Sequence, residues 1–110
     1  MISVIEICRR AHTGTKMDQE GFDLDVVYGN ARKLCEKYGI EYAPENPVPS
    51  DDDLADRVYQ AAVDFVVQTG VYCTDTSRII KLTRREVSDA VANAPGRCIM
   101  GEGKDRYVWT

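Results

Sequence analysis

At 110 residues and 12.3 kDa, the chain is long enough for one modest hydrophobic core, which predicts a single domain or part of one. Its residues are 44% hydrophobic and 29% charged, as in soluble globular proteins, and no apolar run approaches the roughly 20 residues of a membrane span. The formal net charge is −4, and residues 1–77 hold 7 Lys/Arg against 14 Asp/Glu, which argues against nucleic acid as the partner.

A first helix is predicted near the N-terminus. Ser3 and Glu6 form a capping-box pattern, in which the hydroxyl accepts a free amide and the carboxylate reaches back to the cap. Apolar residues then recur at helical spacing as far as Gly14, which is predicted to end the helix in a left-handed conformation. His12, the only histidine, falls in the last turn, where the helix dipole favours a cation. We interpret it as a helix-end residue and not as a catalytic one.

A second helix is expected over residues 22–38, where apolar side chains that include Leu24 and Leu34 keep a helical spacing for four turns before Gly39. Gly29 lies inside this segment. Because glycine weakens a helix interior by roughly 1 kcal/mol relative to alanine, it indicates a close contact with another helix.

Residues 40–50 carry three prolines and are predicted to form an extended surface connection. A third helix follows, with Ser50 as its predicted N-cap and Gly70 at its end. The acidic residues 51–53 after the cap are of the type that binds divalent metals. Their position at the positive end of a helix explains them without a metal, so no metal ligand is assigned.

From residue 71 the pattern predicts a hairpin, a helix and a second hairpin. The first hairpin pairs residues 71–73 with 78–81, and Thr83 and Glu86 form a capping box that opens the helix. The second hairpin pairs residues 97–100 with 106–109 across a glycine-containing turn. The helix is predicted to end at Ala94, with Val87, Ala90 and Val91 on its inward side, and Gly101 and Gly103 are expected at positive φ in the turn. The predicted fold class is α+β, a single unit over residues 1–110 in which 1–70 are mainly helical.

The four cysteines are widely spaced, without a C-x-x-C pair, which argues against a zinc site. Cys8, Cys35 and Cys98 lie in apolar patterns and are predicted to pack in the core. The N-terminal residues show no secretory signal, so we expect a cytoplasmic chain with reduced thiols. Cys73 and Asp75 have the residue types of a nucleophile and its partner, but no base lies near them in the sequence.

The residues therefore predict no self-sufficient active site. We find no catalytic triad, no carboxylate pair set to differ in pKa, no dinucleotide fingerprint and no phosphate loop. No catalytic, cofactor-binding or metal-binding residue is assigned.

Four segments carry a family resemblance: K-Y-G-I-E-Y at 37–42, D-D-D-L at 51–54, G-V-Y-C-T-D-T-S-R-I-I-K at 70–81 and G-E-G-K-D at 101–105. They resemble the N-terminal region of the monomethylamine methyltransferases of methylotrophic methanogens. The resemblance runs over nearly the whole chain but covers only the leading part of an enzyme that is several-fold longer.

This resemblance implies an enzyme family that transfers the methyl group of methylamine to the cobalt of a corrinoid carried on a separate protein, in methanogenesis from methylamines. The family builds a homo-oligomeric TIM-type barrel, and the imine of its pyrrolysine residue is proposed to orient the amine near cobalt. Those residues belong to the barrel, downstream of the matched segment, so none is carried over to this sequence. The chain is expected to be an N-terminal fragment or shortened relative that serves as a non-catalytic scaffold or oligomerisation part, with no cofactor of its own.

Two alternatives remain open. A helix from Thr83 followed by a hairpin also resembles a winged-helix regulator, although the hairpin at 71–81 lies where a positioning helix should be. The other alternative is a stand-alone adaptor that binds the corrinoid protein or the barrel enzyme. The cations that could contact phosphate in the first alternative are Arg84, Arg85, Arg97, Lys104 and Arg106.

The last predicted strand carries Val108 and Trp109, which are expected to be exposed. We therefore expect this strand to associate with a second copy of the chain or with barrel segments.

Overall fold

The computed structural model describes all of residues 1–110. Helices fill most of the chain as far as Thr69, and a hairpin, a helix and a second hairpin follow, as the predicted α+β class requires. No helix combines the length and the apolar character needed to cross a bilayer. The helical segments are α1 (Val4–Thr13), α2 (Gln19–Gly21), a π-helix (Phe22–Val27), α3 (Tyr28–Tyr38), α4 (Asp52–Thr69) and α5 (Arg84–Asn93). The strands are β1 (Val71–Cys73), β2 (Arg78–Ile80), β3 (Cys98–Met100) and β4 (Tyr107–Trp109), with a 3₁₀ turn at Gly103–Asp105.

The first helix begins as predicted but ends differently. Ser3 Oγ accepts a hydrogen bond from the Glu6 amide at 3.2 Å, whereas the Glu6 carboxylate binds Arg9 and does not reach back to the cap. Gly14 has φ −69° and ψ 173°, so the predicted left-handed conformation is wrong. A Cβ atom at Gly14 would overlap the carbonyl oxygen of Ile79. Glycine is needed there because the chain passes close to β2.

The second helical region starts earlier than predicted, at Gln19, because the Asp18 carboxylate caps it by accepting from the Gly21 amide at 3.2 Å. It passes without a break through the π-helix into α3, and Gly39 ends it at φ 62° as expected. A Cβ atom at Gly29 would meet no other part of the chain within 4 Å, so the predicted close helix contact is wrong.

The long helix α4 is capped by Asp51 and not by Ser50. The Asp51 Oδ1 atom accepts from the amides of Asp53 and Leu54 at 3.0 and 3.3 Å. The acidic residues therefore lie at the positive end of a helix, as predicted from the sequence. The helix begins one residue later than expected. Gly70 ends the helix, as predicted.

The first hairpin pairs Val71 with Ile80 and Cys73 with Arg78. A third segment, unforeseen from the sequence, lies along β2. The Ile79 amide donates to the Thr15 carbonyl at 3.0 Å, and the Met17 amide donates to the Ser77 carbonyl at 2.9 Å. The turn after α1 thereby becomes part of the sheet edge.

The C-terminal part follows the prediction closely. Both halves of the capping box between Thr83 and Glu86 are formed at the start of α5. In the second hairpin Cys98 pairs with Trp109, and both turn glycines have positive φ. Ala90 and Val91 are exposed, however, so their predicted inward orientation is wrong.

The hydrophobic core is small. Phe22 stacks on Tyr72 with ring centroids 5.1 Å apart. Cys8, Cys35 and Cys98 are exposed, so their predicted core packing is wrong: apolar spacing gave the correct helices and strand but not which side of each element is covered. The buried apolar residues are Ala11, Phe22, Leu34, Ala61, Ile79 and Ile80.

The chain is extended for its length. Its radius of gyration is 17.8 Å, against about 13 Å for a compact domain of this size. Its accessible surface is 8475 Å², against about 6,100 Å² for a compact monomer of the same mass. The chain therefore leaves more surface accessible than a compact domain does, and apolar side chains such as Ile5, Tyr42 and Val48 are part of it.

Candidate functional site

Asp64, in the second half of α4, is buried at 5% exposure and accepts hydrogen bonds from residues of two other helices. Tyr38 Oη lies 2.5 Å from its Oδ2 atom, and Arg84 Nη2 lies 2.5 Å from its Oδ1 atom. Lys37 Nζ is 3.5 Å from Oδ2. The carboxylate thus joins α3, α4 and α5 at one point.

The donors around Asp64 also decide what it can do chemically. The Tyr38 hydroxyl, then the Arg84 guanidinium, lower the pKa of Asp64 from 3.8 to about 2. The same hydrogen bond raises the pKa of Tyr38. Because both carboxylate oxygens are occupied and the group is ionised at neutral pH, Asp64 is suited to hold helices together and not to transfer protons.

A second ionic cluster joins the first helix to α5. Arg10 of α1 donates to both oxygens of Glu86 in α5, at 2.7 and 2.8 Å, and to the Lys81 carbonyl at 3.0 Å. Arg10 and then the Thr83 amide lower the pKa of Glu86 from 4.5 to about 2. The Glu6 carboxylate completes the cluster at 3.0 Å from Arg10 Nε.

An apolar groove runs between α3 and α4, with a volume of about 260 Å³. Leu34 and Ala61 are its buried residues, and the exposed thiol of Cys35 lies on its wall. The apolar surface continues along α4 to Leu54 and Tyr59. All eight lining residues are apolar: Ala31, Leu34, Cys35, Ile40, Val58, Ala61, Ala62 and Phe65.

The residues that the sequence suggested for chemistry each have a local partner in the structure. His12 is exposed, and its Nδ1 atom lies 2.9 Å from the Cys8 carbonyl oxygen one turn earlier. Cys73 is half-buried in the first hairpin, and hydrogen bonding from Thr76 lowers the pKa of its thiol. Asp53 of the acidic run pairs with Arg57 at 3.1 Å, within α4.

The cations proposed for phosphate contact differ in their surroundings. Arg84 is bound to Asp64, so its charge is already compensated. Arg85, Arg97, Lys104 and Arg106 are exposed. No observation here favours the nucleic-acid alternative.

Sequence reasoning missed both ionic clusters and the groove. One signal was available for Asp64, since an acid in the apolar run Ala61–Phe65 needs a partner if that face is buried. Nothing in the sequence identifies Tyr38 or Arg84 as the partners.

Comparison with known proteins matches nearly the whole chain. The sequence model of a family described as monomethylamine methyltransferase MtmB matches residues 2–109. The chain is 38% identical over 96 residues to the monomethylamine methyltransferase MtmB of Methanosarcina mazei and to MtmB1 of Methanosarcina acetivorans. Each of these alignments covers 87% of this chain and 21% of the relative.

The fold matches as well. The crystal structure of the Methanosarcina barkeri monomethylamine methyltransferase (MtmB) superposes with a TM-score of 0.85 and 33% identity, over 94% of this chain and 22% of that one. The crystal structure of the hydroxylamine MtmB complex matches equally well.

These matches assign the chain to the methylamine methyltransferases and confirm the resemblance seen in its four sequence segments. Within that class, it belongs to the monomethylamine methyltransferase MtmB family. It spans about a fifth of the length of the relatives it matches.

Proposed function

We propose that the chain is the N-terminal part of a monomethylamine methyltransferase, an enzyme that transfers the methyl group of methylamine to a corrinoid protein. One observation carries this proposal: the fold matches over 94% of this chain but only 22% of the solved relative. In this proposal the 110 residues form a non-catalytic scaffold beside a TIM-type barrel. The barrel holds the pyrrolysine and the amine, and the corrinoid stays on its own carrier protein.

The charges of the chain support a scaffold role. Asp64 and Glu86, which have strongly lowered pKa values, are each held by an arginine from another helix. Carboxylates that are held by arginine in this way fix the positions of helices and have little capacity for acid–base chemistry. The proposed setting is a cytoplasmic homo-oligomeric enzyme.

The second hairpin is proposed as an association element. Trp109 is 61% exposed, and its ring lies 6.0 Å from that of Tyr107, which is 58% exposed. Val108 is half-buried and less available than the sequence indicated. A two-stranded sheet alone is marginally stable in water, so a covering surface would stabilise it.

The decisive experiment is a chimera in which this chain replaces the matching fifth of the Methanosarcina mazei relative. We expect the folded chimera to methylate reduced corrinoid protein with methylamine, followed by the absorbance of the cobalt. The 110-residue chain alone should give no methylation. Turnover by the chain alone would contradict the scaffold role, and a folded but inactive chimera would contradict the enzyme assignment.

One inexpensive observation distinguishes the adaptor alternative from the enzyme. Coding sequence that continues past the Thr110 codon into a barrel, with an in-frame amber codon, supports the enzyme. A stop codon directly after Thr110 supports the adaptor.

A further inference from the structure

We infer that the groove between α3 and α4 receives an apolar helix from the part of the family polypeptide that lies outside these 110 residues. The inference rests on the proposed function, and it names the surface through which the scaffold contacts the rest of the enzyme. Its basis is the composition of the groove, the two-sided apolar character of α4 and the amount of surface left uncovered.

The groove has the pattern of a helix-binding surface. Ala55, Val58, Tyr59 and Ala62 follow one another along α4 at the spacing i, i+3, i+4, i+7. Val58 is 43% exposed and Tyr59 is 51% exposed, although both belong to this apolar stripe. Alanines at both ends of the stripe permit close approach of a second helix backbone, and an apolar groove between helices is a common receptor for an amphipathic helix.

Another side of α4 is already covered. Asp64 is buried and bonds to residues of α3 and α5, and Val63 and Val67 beside it on the helix are half-buried. The exposed stripe is therefore additional to the face that the chain uses for its own packing. A helix that is apolar on more than one side is typical of a position buried within a larger protein.

The uncovered area identifies the occupant. The accessible surface of 8475 Å² exceeds that of a compact monomer by roughly 2,400 Å². A standard dimer interface covers about 800 Å² on each partner, only a third of this excess. The relatives contain roughly four times as much polypeptide as the chain, which is enough to cover the excess. The remaining polypeptide thus fits better than a second copy of the chain.

The thiols of the chain allow a direct test without any mutation. Cys35 lies in the groove and Cys8 lies outside it, on α1, and both are exposed. Their alkylation rates by iodoacetamide are measured by peptide mass spectrometry in the isolated chain and in the chimera with the Methanosarcina mazei relative. In the chimera we expect Cys35 to react at least about tenfold more slowly than in the isolated chain, because alkylation then requires local opening. Cys8 should change less than Cys35.

Three results would overturn the inference: equal Cys35 rates in the two proteins, equal slowing of both thiols, or slowing of Cys35 in the isolated chain as its concentration rises. The last result would assign the groove to a second copy. Failure of the chimera to fold, with two different relatives as hosts, would also count against it.

A pair of matched valines provides a second measurement. Val58→Glu places a charge in the groove, whereas Val91→Glu places one on α5 at a similar exposure of 52%. We expect Val58→Glu to lower the melting temperature of the chimera more than Val91→Glu does, and both to have little effect on the isolated chain. Equal effects in the chimera would contradict the inference.

The thiol test and the activity test can each fail while the other succeeds. An active chimera with a reactive Cys35 would refute the groove assignment and leave the proposed function intact. An inactive, folded chimera with a protected Cys35 would refute the proposed function and leave the groove assignment intact.

Discussion

Arg10 and Glu86 form a paired ionic contact between residues 76 positions apart, with nitrogen–oxygen distances of 2.7 and 2.8 Å. Arg10 also donates to the Lys81 carbonyl, just after β2. One side chain therefore connects the first helix, the end of the first hairpin and the last helix. Glu86 contributes twice, because its carboxylate also accepts from the Thr83 amide as part of the capping box.

Acid should weaken the fold through this contact. The pKa of Glu86 is lowered from 4.5 to about 2, first by Arg10 and then by the Thr83 amide. In the unfolded chain the group takes up its proton near 4.5, so its stabilising effect is complete above that pH and is lost as the pH falls towards 2. Urea denaturation midpoints, measured from about pH 7 to about pH 2, should decrease as the pH falls from the unfolded to the folded pKa of Glu86. The fall should be shallower in Glu86→Gln than in the parent chain.

The control for the acid experiment is Glu41→Gln, which changes an exposed carboxylate outside both ionic clusters. Its midpoints should follow those of the parent chain. If the urea midpoints of Glu86→Gln depend on pH as those of the parent chain do, Arg10 does not favour the ionised form of Glu86.

Two leucines of one predicted apolar stripe should respond very differently to truncation. Leu34 is 4% exposed, whereas Leu24, in the π-helical segment, is 60% exposed. Leu34→Ala should lower the free energy of unfolding by about 2–5 kcal/mol, because it leaves a cavity, and Leu24→Ala should change it by less than about 0.5 kcal/mol. Urea denaturation of the isolated chain measures both. Similar losses would mean that the π-helical segment is packed differently.

Two glycines give a matched test of backbone contact. Gly14→Ala puts a methyl group onto the Ile79 carbonyl and should destabilise the chain by roughly 1–3 kcal/mol. Gly29→Ala adds a methyl group in open space within a helix and should stabilise the chain by about 0.5–1 kcal/mol. Thermal unfolding distinguishes them by the sign of the change in melting temperature. A stable Gly14→Ala variant would argue against the pairing of the turn after α1 with β2.

The second hairpin should be the least protected ordered part of the isolated chain. Its strands, β3 and β4, pair only with each other, and Ile99, Met100, Tyr107 and Trp109 are all more than half exposed. Hydrogen exchange should therefore be faster at the amides of β3 and β4 than at those of α4. Trp109, the only tryptophan, should be readily quenched by iodide. Slow exchange in the hairpin would indicate that a partner already covers it.

Local features of the fold could be predicted from the sequence because their causes lie within a few residues. Ser3, Gly39 and the Thr83–Glu86 box act through their own or adjacent turns, and each is found where it was expected. The π-helical segment was not foreseen, since its hydrogen bonds leave no clear sequence pattern.

Contacts between distant residues could not be predicted. The sequence shows that Asp64 needs a partner, but Tyr38 and Arg84 are 26 and 20 residues away. The cysteines were misplaced for a related reason. Apolar spacing marks more than one side of a helix or strand as suitable for burial, and a chain that forms a fifth of its family's length covers only some of them with its own residues.

The link between Arg10 and Glu86 has a consequence for synthesis on the ribosome. Arg10 leaves the exit tunnel long before Glu86 does, because 76 residues separate the two side chains. At typical rates of translation this delay lasts roughly 4–15 seconds. During that time the apolar side of the nascent helix is open to chaperones, and its docking has to follow the completion of the first hairpin.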